Sequence, residues 1–174
     1  MALAKCAWAS QSETKGKNGV KGDQTSKEVK RGNCYYFGQT LVIRPKSSQI
    51  NKGKRIGKAT GEIADNDCFG YGQLDRASAY IVARGINWRI RYIEGVKNKC
   101  NLDCSELAGI AVNFAYNKEI VPSTVYSGNI APTLVATKLF KTIAYEKGMK
   151  LKVGDIIVNP GHHVIVVTKD GIGA

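Results

Sequence analysis

The sequence lacks the long apolar run that a membrane-spanning helix requires, since no stretch approaches about 18 apolar residues. It also lacks a secretory signal, because the N-terminal segment Met-Ala-Leu-Ala-Lys-Cys-Ala-Trp is too short and too interrupted to form an apolar signal core. These absences exclude helical membrane insertion and predict synthesis in the cytoplasm without a signal peptide. If the protein works outside the cell, another factor must release it.

Acidic residues are few: 14 Asp and Glu stand against 26 Lys and Arg, which gives a formal net charge of +12. The basic residues are densest between Lys15 and Arg55. A positive field of this size attracts anionic polymers, whether nucleic acid, anionic lipid or the acidic polymers of a bacterial wall. Charge alone does not distinguish these partners, and a solubilising surface is the simplest interpretation of any single lysine.

Histidine is scarce, with only His162 and His163 in 174 residues. The cysteines form an odd number at spacings that follow no disulfide framework, so at least one thiol should be free. They are Cys6, Cys34, Cys68, Cys100 and Cys104. A reduced compartment during synthesis is the simplest interpretation of this usage.

The length of 174 residues and an apolar fraction of 43% predict one globular domain over residues 1–174. Hydrophobic periodicity predicts helices followed by a hairpin-like β segment, and hence an α+β domain. The clearest helix is Cys104–Tyr116, with Asp103 before it as N-cap. The predicted helices are 2–12, 48–64, 71–84, 104–116 and 133–145, and the predicted extended segments are 29–44, 155–159 and 163–168.

Cys104 and His163 are the candidates for catalysis. Cys104 opens a predicted helix, and a helix N-terminus or a nearby imidazolium lowers the pKa of a thiol toward the nucleophilic thiolate. His163 begins a predicted strand, from which it would take the thiol proton and later return it to a leaving amine. Two other interpretations stay open. Cys104 can be a small buried hydrophobe beside a solvated His-His turn, or zinc can bind Cys100, Cys104, His162 and His163.

Distinct motifs surround both candidates. Asp103-Cys104-Ser105 precedes an apolar helix, and Val153-Gly154-Asp155-Ile156-Ile157 is followed by the apolar strand His163-Val164-Ile165-Val166-Val167. Together these blocks resemble the nucleophile and histidine motifs of the NlpC-type papain-like cell-wall peptidases. Further segments, at 9–13, 22–25, 27–29, 42–45 and 70–76, are similar to a set of phage and prophage endolysins. The resemblance runs from about residue 9 to residue 168.

This resemblance implies a papain-like α+β fold in which the Cys104 helix packs on an antiparallel sheet that carries His163. It implies hydrolysis of a peptidoglycan amide bond through a thioester, either within the stem peptide or between muramic acid and L-alanine. No metal or organic cofactor is implied, and the expected partners are peptidoglycan and anionic wall polymers rather than nucleic acid. We expect a monomer that acts at the bacterial wall after release. The wall-binding domain that endolysins usually carry is expected to be absent or truncated.

The resemblance also assigns roles to individual residues. A third catalytic residue would orient the imidazole, and Asp170 is the acidic candidate that follows His163. The residues expected to bind substrate are Asp103, Ser105, Glu13, Asp23, Gln24, Tyr71, Gln73 and His162. Structural roles are the alternative for two of them, since Asp23 can close an Asx-turn and Tyr71 can belong to the core.

The chain departs from the family pattern at four positions. These departures concern the groove that is expected to bind the wall substrate, and they do not affect Cys104 or His163. The departures are Gly72 for Asp, Cys34 and Gln39 for aromatic residues, and Ser26 for Gly. Three other functions remain open. A nucleic-acid-binding module would use the basic stretch, although a helix-turn-helix, zinc-finger or aromatic RNA-binding motif is missing. A transferase would use the same Cys-His pair, and a wall-binding module would have lost catalysis.

Overall fold

Strands from both ends of the chain meet in one six-stranded antiparallel sheet. The computed structural model describes residues 2–11 and 20–174. The strands are β1 (Lys5–Ala9), β2 (Val29–Asn33), β3 (Leu41–Pro45), β4 (Phe69–Tyr71), β5 (Cys100–Leu102), β6 (Phe140–Ala144), β7 (Lys150–Leu151), β8 (Ile156–Asn159), β9 (His163–Lys169) and β10 (Gly171–Ile172). The large sheet has the order β2-β1-β9-β8-β3-β6, while β4 pairs with β5 and β7 pairs with β10.

Four α-helices accompany the strands in the described part of the chain. They are α1 (Ile50–Ala64), α2 (Ala77–Gly85), α3 (Cys104–Tyr116) and α4 (Ile130–Ala136), with 3-10 turns at Ser47–Gln49 and Ile90–Tyr92. Helices α1 and α3 pack against each other and against β9. None of the helices described combines the length and apolar character needed to cross a membrane.

Strand β9 lies between two apolar cores. Val164 and Val166 belong to the larger core, which also contains the buried residues of α1 and α3. Ile165 and Val167 belong to a smaller core on the other side of the sheet. Because side chains alternate along a strand, His163 lies on the same side as Ile165 and Val167, at the first position of β9.

The two glycines that weaken the helix propensity of α1 have a packing role. A Cβ added at Gly57 would lie 2.3 Å from Cγ2 of Val153, and one at Gly53 would lie 3.0 Å from the Val153 carbonyl oxygen. The loss of helix propensity, about 1 kcal/mol per glycine, therefore accompanies a close approach of α1 to the segment before β8.

Several element predictions are confirmed and others are wrong. Helix α3 has the predicted bounds, and the hairpin β8–β9 turns at Gly161 with a φ of +80°. The helix predicted over 2–12 is instead strand β1, which pairs with β2 and β9. The helix predicted over 133–145 stops at Ala136 and gives way to β6. The helix predicted from residue 71 begins only at Ala77, after β4.

Two cysteines form a disulfide, contrary to the expectation drawn from a reduced compartment. Cys6 in β1 is bonded to Cys34, which directly follows β2, with a Cα–Cα distance of 5.0 Å. Both lie in the smaller core and are buried. Cys68, Cys100 and Cys104 remain free thiols. The disulfide therefore ties the segment after β2 to β1, the strand next to β2 in the sheet.

Candidate active site

Cys104 is the first residue of α3 and directly follows the N-cap Asp103. One carboxylate oxygen of Asp103 accepts the backbone amide of Glu106 at 2.8 Å and the Ser105 hydroxyl at 2.9 Å. Asp103 and Ser105 are both nearly buried. These two predicted substrate residues therefore fix the first turn of α3, and with it the position of Cys104.

The Cys104 thiol lies beside the N-terminal end of β9, where His163 begins the strand. The backbone amides of Val164 and Ser105 and the Ser105 side chain are close enough to the sulfur to lower its pKa. Burial, followed by the negative charge of Asp103, nevertheless raises its pKa to about 11. The sequence predicted a lowered pKa at this helix N-terminus, so that expectation is wrong for the free protein. The thiol is protonated at neutral pH, and a base must remove its proton.

His163 begins β9, one residue before the amide that contacts the sulfur. Its ring packs edge-on against Phe37, with 5.2 Å between the ring centroids, and its Nε2 lies 3.1 Å from the Tyr35 hydroxyl. Burial lowers the pKa of His163 below its ordinary 6.5. At neutral pH the imidazole is therefore uncharged and able to accept a proton.

Tyr35 lies close to both candidates, although the sequence analysis gave it no role. Burial raises its pKa, and the negative charge that Cys104 would carry raises it further. Its ring also packs edge-on against Trp8 at 5.0 Å and in a tilted arrangement against Phe37 at 5.6 Å. The run Cys34-Tyr35-Tyr36-Phe37 was visible as an aromatic segment, but its periodicity did not indicate that it faces His163.

A buried ionic network lies beneath the first turn of α3. Arg76 contacts Asp103 at 3.2 Å and Glu106 at 2.9 Å. Burial raises the pKa of Glu106 to about 7, against the lowering effect of Arg76. Within the described residues, Nε of Arg76 and Oε1 of Glu106 are buried and have no hydrogen-bond partner. Arg76 also donates to the carbonyl of Val125, so this network joins α3 to the loop before α4. Sequence reasoning missed both Arg76 and Glu106 as parts of the site.

Asp23 stabilises a turn and is not available as a groove residue. Its carboxylate accepts the backbone amides of Thr25 at 2.9 Å, Lys27 at 3.2 Å, Glu28 at 2.7 Å and Val29 at 3.1 Å. Burial alone would raise the pKa of Asp23, but these four amides together lower it. The Asx-turn alternative, rather than substrate binding, explains this residue.

Gln24 is committed to the same turn. Its amide donates to the carbonyls of Lys21 at 2.9 Å and Gly22 at 2.8 Å. The position of Gly22 is tight, because a Cβ added at Gly70 would lie 2.3 Å from the Gly22 carbonyl. The turn therefore packs on β4, and the contact of exposed Gln24 with substrate stays a prediction.

Tyr71 and Gln73 remain candidates for the groove. The Tyr71 backbone amide donates to Glu28 at 2.7 Å, which anchors the end of β4. Burial, followed by the negative charges of Cys104 and Asp103, raises the pKa of the Tyr71 phenol, while Gln73 opposes this shift. Tyr71 therefore lies within electrostatic reach of Cys104, and the groove role of both residues stays a prediction.

Asp170 lies at the wrong end of β9 to orient His163. It directly follows this seven-residue strand, whose two ends are about 20 Å apart. Its carboxylate instead accepts the Val153 amide at 2.6 Å. His162 is exposed in the turn before β9, where its backbone amide bonds the Asn159 carbonyl at 3.0 Å. Glu13 lies outside the described residues.

The four residues proposed as zinc ligands do not converge on one site. The Cys100 thiol is buried against the Cys68 carbonyl at 3.5 Å, and burial raises its pKa to about 12. In the part of the chain that the structure describes, no group of three or more His, Cys, Asp or Glu residues has a metal-binding arrangement. Cys100 therefore belongs to the β4–β5 pair, apart from Cys104 and His163.

Glycine at position 72 also has a local explanation. A Cβ added at Gly72 would lie 2.8 Å from Nδ2 of Asn101, so an aspartate there would require Asn101 to move. The departure from the family's usual Asp is thus matched to the packing of β4 on β5.

Comparison with models of known protein families identifies the family of the chain. Residues 6–174 match the endolysin-like domain. The searches of curated proteins and of solved structures gave no match. Because the family match covers nearly the whole chain, the protein belongs to the endolysin-like domain family.

Proposed function

We propose that this protein is a papain-like cysteine hydrolase that cleaves an amide bond of bacterial peptidoglycan. The observation that carries the proposal is that Cys104 lies beside the end of β9 at which His163 begins the strand. The Val164 amide is close enough to the sulfur to lower its pKa, and the Tyr35 hydroxyl lies 3.1 Å from Nε2 of His163 and within electrostatic reach of Cys104. Membership of the endolysin-like domain family supports peptidoglycan as the substrate.

In the proposed reaction, neutral His163 takes the proton from the Cys104 thiol as the sulfur attacks the amide carbonyl. The carbonyl oxygen becomes an oxyanion, and the Cys104 amide, in the first turn of α3 where amides lack helical partners, is a suitable donor to it. The imidazolium then protonates the departing amine as the C–N bond breaks, which leaves a thioester on Cys104. Water, deprotonated by His163, hydrolyses the thioester and releases the carboxylate and the free thiol.

The protonation states of the free protein suit this mechanism. A thiol with a pKa of about 11 and an imidazole with a pKa below 6.5 form an uncharged pair at neutral pH. A neutral pair is less costly to bury than separated charges. The two backbone amides on the sulfur would stabilise the thiolate as it forms during attack.

The proposed peptide groove runs over the N-terminus of α3. Tyr71 and Gln73 would form one side of this groove, next to exposed Leu74. Tyr126, also exposed, follows the Val125 carbonyl that Arg76 binds. Both the amides of a stem peptide and the bond between muramic acid and L-alanine meet the chemical requirement of this site. The experiment below identifies the bond.

A separate basic cleft supports binding to the anionic polymers of the wall. Arg55, Lys58, Arg89 and Arg91 line the surface between α1 and the turn at 90–92. Arg55 is partly engaged, since it donates to the Ala115 carbonyl at 2.9 Å, but Arg89 and Arg91 are exposed. Such a cluster would hold the protein near a phosphate-rich surface after its release from the cytoplasm.

Digestion of purified Gram-positive walls tests the proposal. We expect the wild-type protein to generate paired new amino and carboxyl termini, which mass spectrometry assigns to one bond. Cys104→Ala and His163→Ala should each reduce this release by at least about a thousandfold. Cys68→Ala is the matched control, because Cys68 is also a partly exposed free thiol, and it should retain activity.

Other outcomes identify the competing functions. New cross-links in place of free termini would indicate a transferase. Wall binding without new termini would indicate a module that has lost catalysis. A DNA mobility shift that persists in Cys104→Ala, together with intact walls after wild-type treatment, would favour nucleic-acid binding. Sedimentation of Cys104→Ala with walls, before and after their phosphate polymers are removed, measures the contribution of the basic cleft.

A further inference from the structure

We propose that the Tyr35 hydroxyl orients the His163 imidazole, so that the segment between β2 and β3 completes the Cys104–His163 pair. This inference rests on the proposed function, because it assigns a positioning residue to the same reaction. The sequence analysis placed that role on Asp170, which lies beyond the far end of β9 and binds the Val153 amide. Among the described residues, Tyr35 is the side chain within hydrogen-bond distance of the His163 ring.

The contact with Tyr35 would select the useful tautomer of the imidazole. A neutral imidazole carries one N–H, and the partner of one ring nitrogen determines which nitrogen keeps the proton. If Nε2–H donates to the Tyr35 oxygen, 3.1 Å away, Nδ1 holds the lone pair. Nδ1 is the ring nitrogen nearer the main chain, and the sulfur of Cys104 lies at the main-chain amide of the next residue, Val164. The selected tautomer thus leaves Nδ1 as the ring nitrogen that would accept the thiol proton in the proposed reaction.

The phenol suits this role because it stays uncharged. Burial and the charge on Cys104 both raise the pKa of Tyr35 above its ordinary 10.0. A neutral hydroxyl can accept from Nε2–H in every protonation state that the reaction visits. It would therefore act by fixing the ring orientation, without the charge stabilisation that a carboxylate supplies.

Tyr35 is held in place by its neighbours on both sides in sequence. Cys34 is bonded to Cys6 and donates its amide to the Ala4 carbonyl at 2.8 Å. Gln39 accepts the Phe37 amide at 2.7 Å and donates to the Tyr35 carbonyl at 3.4 Å. Cys34 and Gln39 are two positions at which the chain departs from the family's aromatic pattern, and here both anchor the turn that presents Tyr35.

The rings of this segment restrict the imidazole further. Tyr35 is packed edge-on against Trp8 at 5.0 Å, and Phe37 is packed edge-on against His163 at 5.2 Å. Removal of the hydroxyl alone should leave these contacts intact. Tyr35→Phe therefore tests the hydrogen bond separately from the packing.

The test compares Tyr35→Phe with Tyr36→Phe, the same change at the exposed neighbouring tyrosine. We expect Tyr35→Phe to lower kcat on soluble wall fragments about 10- to 100-fold, the usual effect of removing a group that orients a histidine. KM should change less than about twofold, because the hydroxyl acts through His163 rather than on substrate. Tyr36→Phe should leave kcat unchanged, and both variants should melt at the wild-type temperature.

Nitrogen NMR of His163 provides a readout that is independent of catalysis. In the wild-type protein the ring should be an Nε2–H tautomer, and in Tyr35→Phe it should become a mixture of tautomers. A wild-type Nδ1–H tautomer, or an unchanged tautomer together with an unchanged kcat in Tyr35→Phe, would overturn the assignment. If wild-type protein leaves walls intact but the tautomer depends on Tyr35, the proposed function fails while the positioning role stands.

Discussion

The two ends of strand β9 use polar residues in opposite ways. At the Asp170 end, Arg44 binds both carboxylate oxygens of buried Asp155, at 2.8 and 2.6 Å. Asp155 also accepts the Lys152 amide at 2.8 Å, and Arg44 donates to the Lys150 carbonyl at 2.9 Å. Arg44 and Asp155 thus each have the opposite charge and a backbone group as partners, which is the pattern of a structural ion pair.

At the His163 end, the polar groups are shifted away from their ordinary protonation behaviour. Burial raises the pKa of Cys104 to about 11 and of Glu106 to about 7, and it lowers the pKa of His163. Oε1 of Glu106 lacks a partner within the described residues. Perturbed titration of this kind concentrates at functional sites. The contrast is consistent with the proposed function, in which one end of β9 stabilises the fold and the other exchanges protons during the reaction.

The same contrast divides the motif segments that resemble the endolysins into segments that stabilise the fold and segments that lie near the proposed site. Arg44 and Asp155 belong to two different motif segments, and they bind each other far from Cys104. Asp23, from a third segment, closes a turn with its own neighbours. Part of the family pattern thus specifies the scaffold, and another part lies near the proposed chemistry.

The largest expected effect on stability comes from breaking the ion pair at the Asp170 end. Arg44→Ala leaves Asp155 buried and unpaired, so the free energy of unfolding should fall by about 3–5 kcal/mol. Arg31→Ala removes the partner of Asp65 in an exposed pair and should cost less than about 1 kcal/mol. Urea unfolding measures both variants. Equal losses would show that the Arg44–Asp155 pair is no more important than a surface contact.

Removal of the disulfide should have the next largest effect, and it should change both the stability of the protein and its catalytic rate. It closes a loop with a sequence separation of 28, for which loop entropy predicts about 3–4 kcal/mol of stabilisation. Cys6→Ala/Cys34→Ala should lose that amount in urea unfolding. Because Cys34 precedes Tyr35, the double variant should also lose kcat per folded molecule. Retention of full kcat would show that the Tyr35 segment holds its position without the covalent tie.

Local signals explain what could be predicted from the sequence. Helix α3 has an N-cap at Asp103 and an apolar repeat, and the β8–β9 hairpin has a Pro-Gly turn between two apolar runs. Both elements are specified by residues close together in the chain. Cys104 and His163 were therefore placed at the starts of the right elements.

Non-local pairing explains what could not be predicted. Strand β1 is rich in alanine, which favours a helix locally, but it pairs with β9 about 160 residues later in the chain. The Tyr35–His163 contact joins residues 128 positions apart. Helix α4 ends at a turn where Lys138 adopts a φ of +62°, a conformation that its sequence did not signal. Asp23 is the opposite case. The sequence predicted that it contacts substrate, but its carboxylate accepts backbone amides of nearby residues.

The smallest effects are expected from pH, and they should appear only at the His163 end. Hydrolysis requires one proton shared between Cys104 and His163, so kcat/KM should fall about tenfold per pH unit below the pKa of His163. That pKa lies below 6.5 because of burial, and the alkaline limb should follow the Cys104 pKa of about 11. The expected profile is a broad plateau through neutral pH.

The same shift affects stability in a known direction. Since the folded pKa of His163 is lowered, the unfolded chain binds a proton first as the pH falls below 6.5. The contribution of His163 to the free energy of unfolding is thus present above pH 6.5 and lost as the pH drops through the folded pKa. Melting curves at each pH separate this loss from the loss of kcat/KM. An alkaline limb near 9, the ordinary thiol value, would show that Cys104 is solvated during turnover and that burial does not control its ionisation. An acid limb above 6.5 would show that a negative charge, rather than the neutral Tyr35 hydroxyl, faces the imidazole.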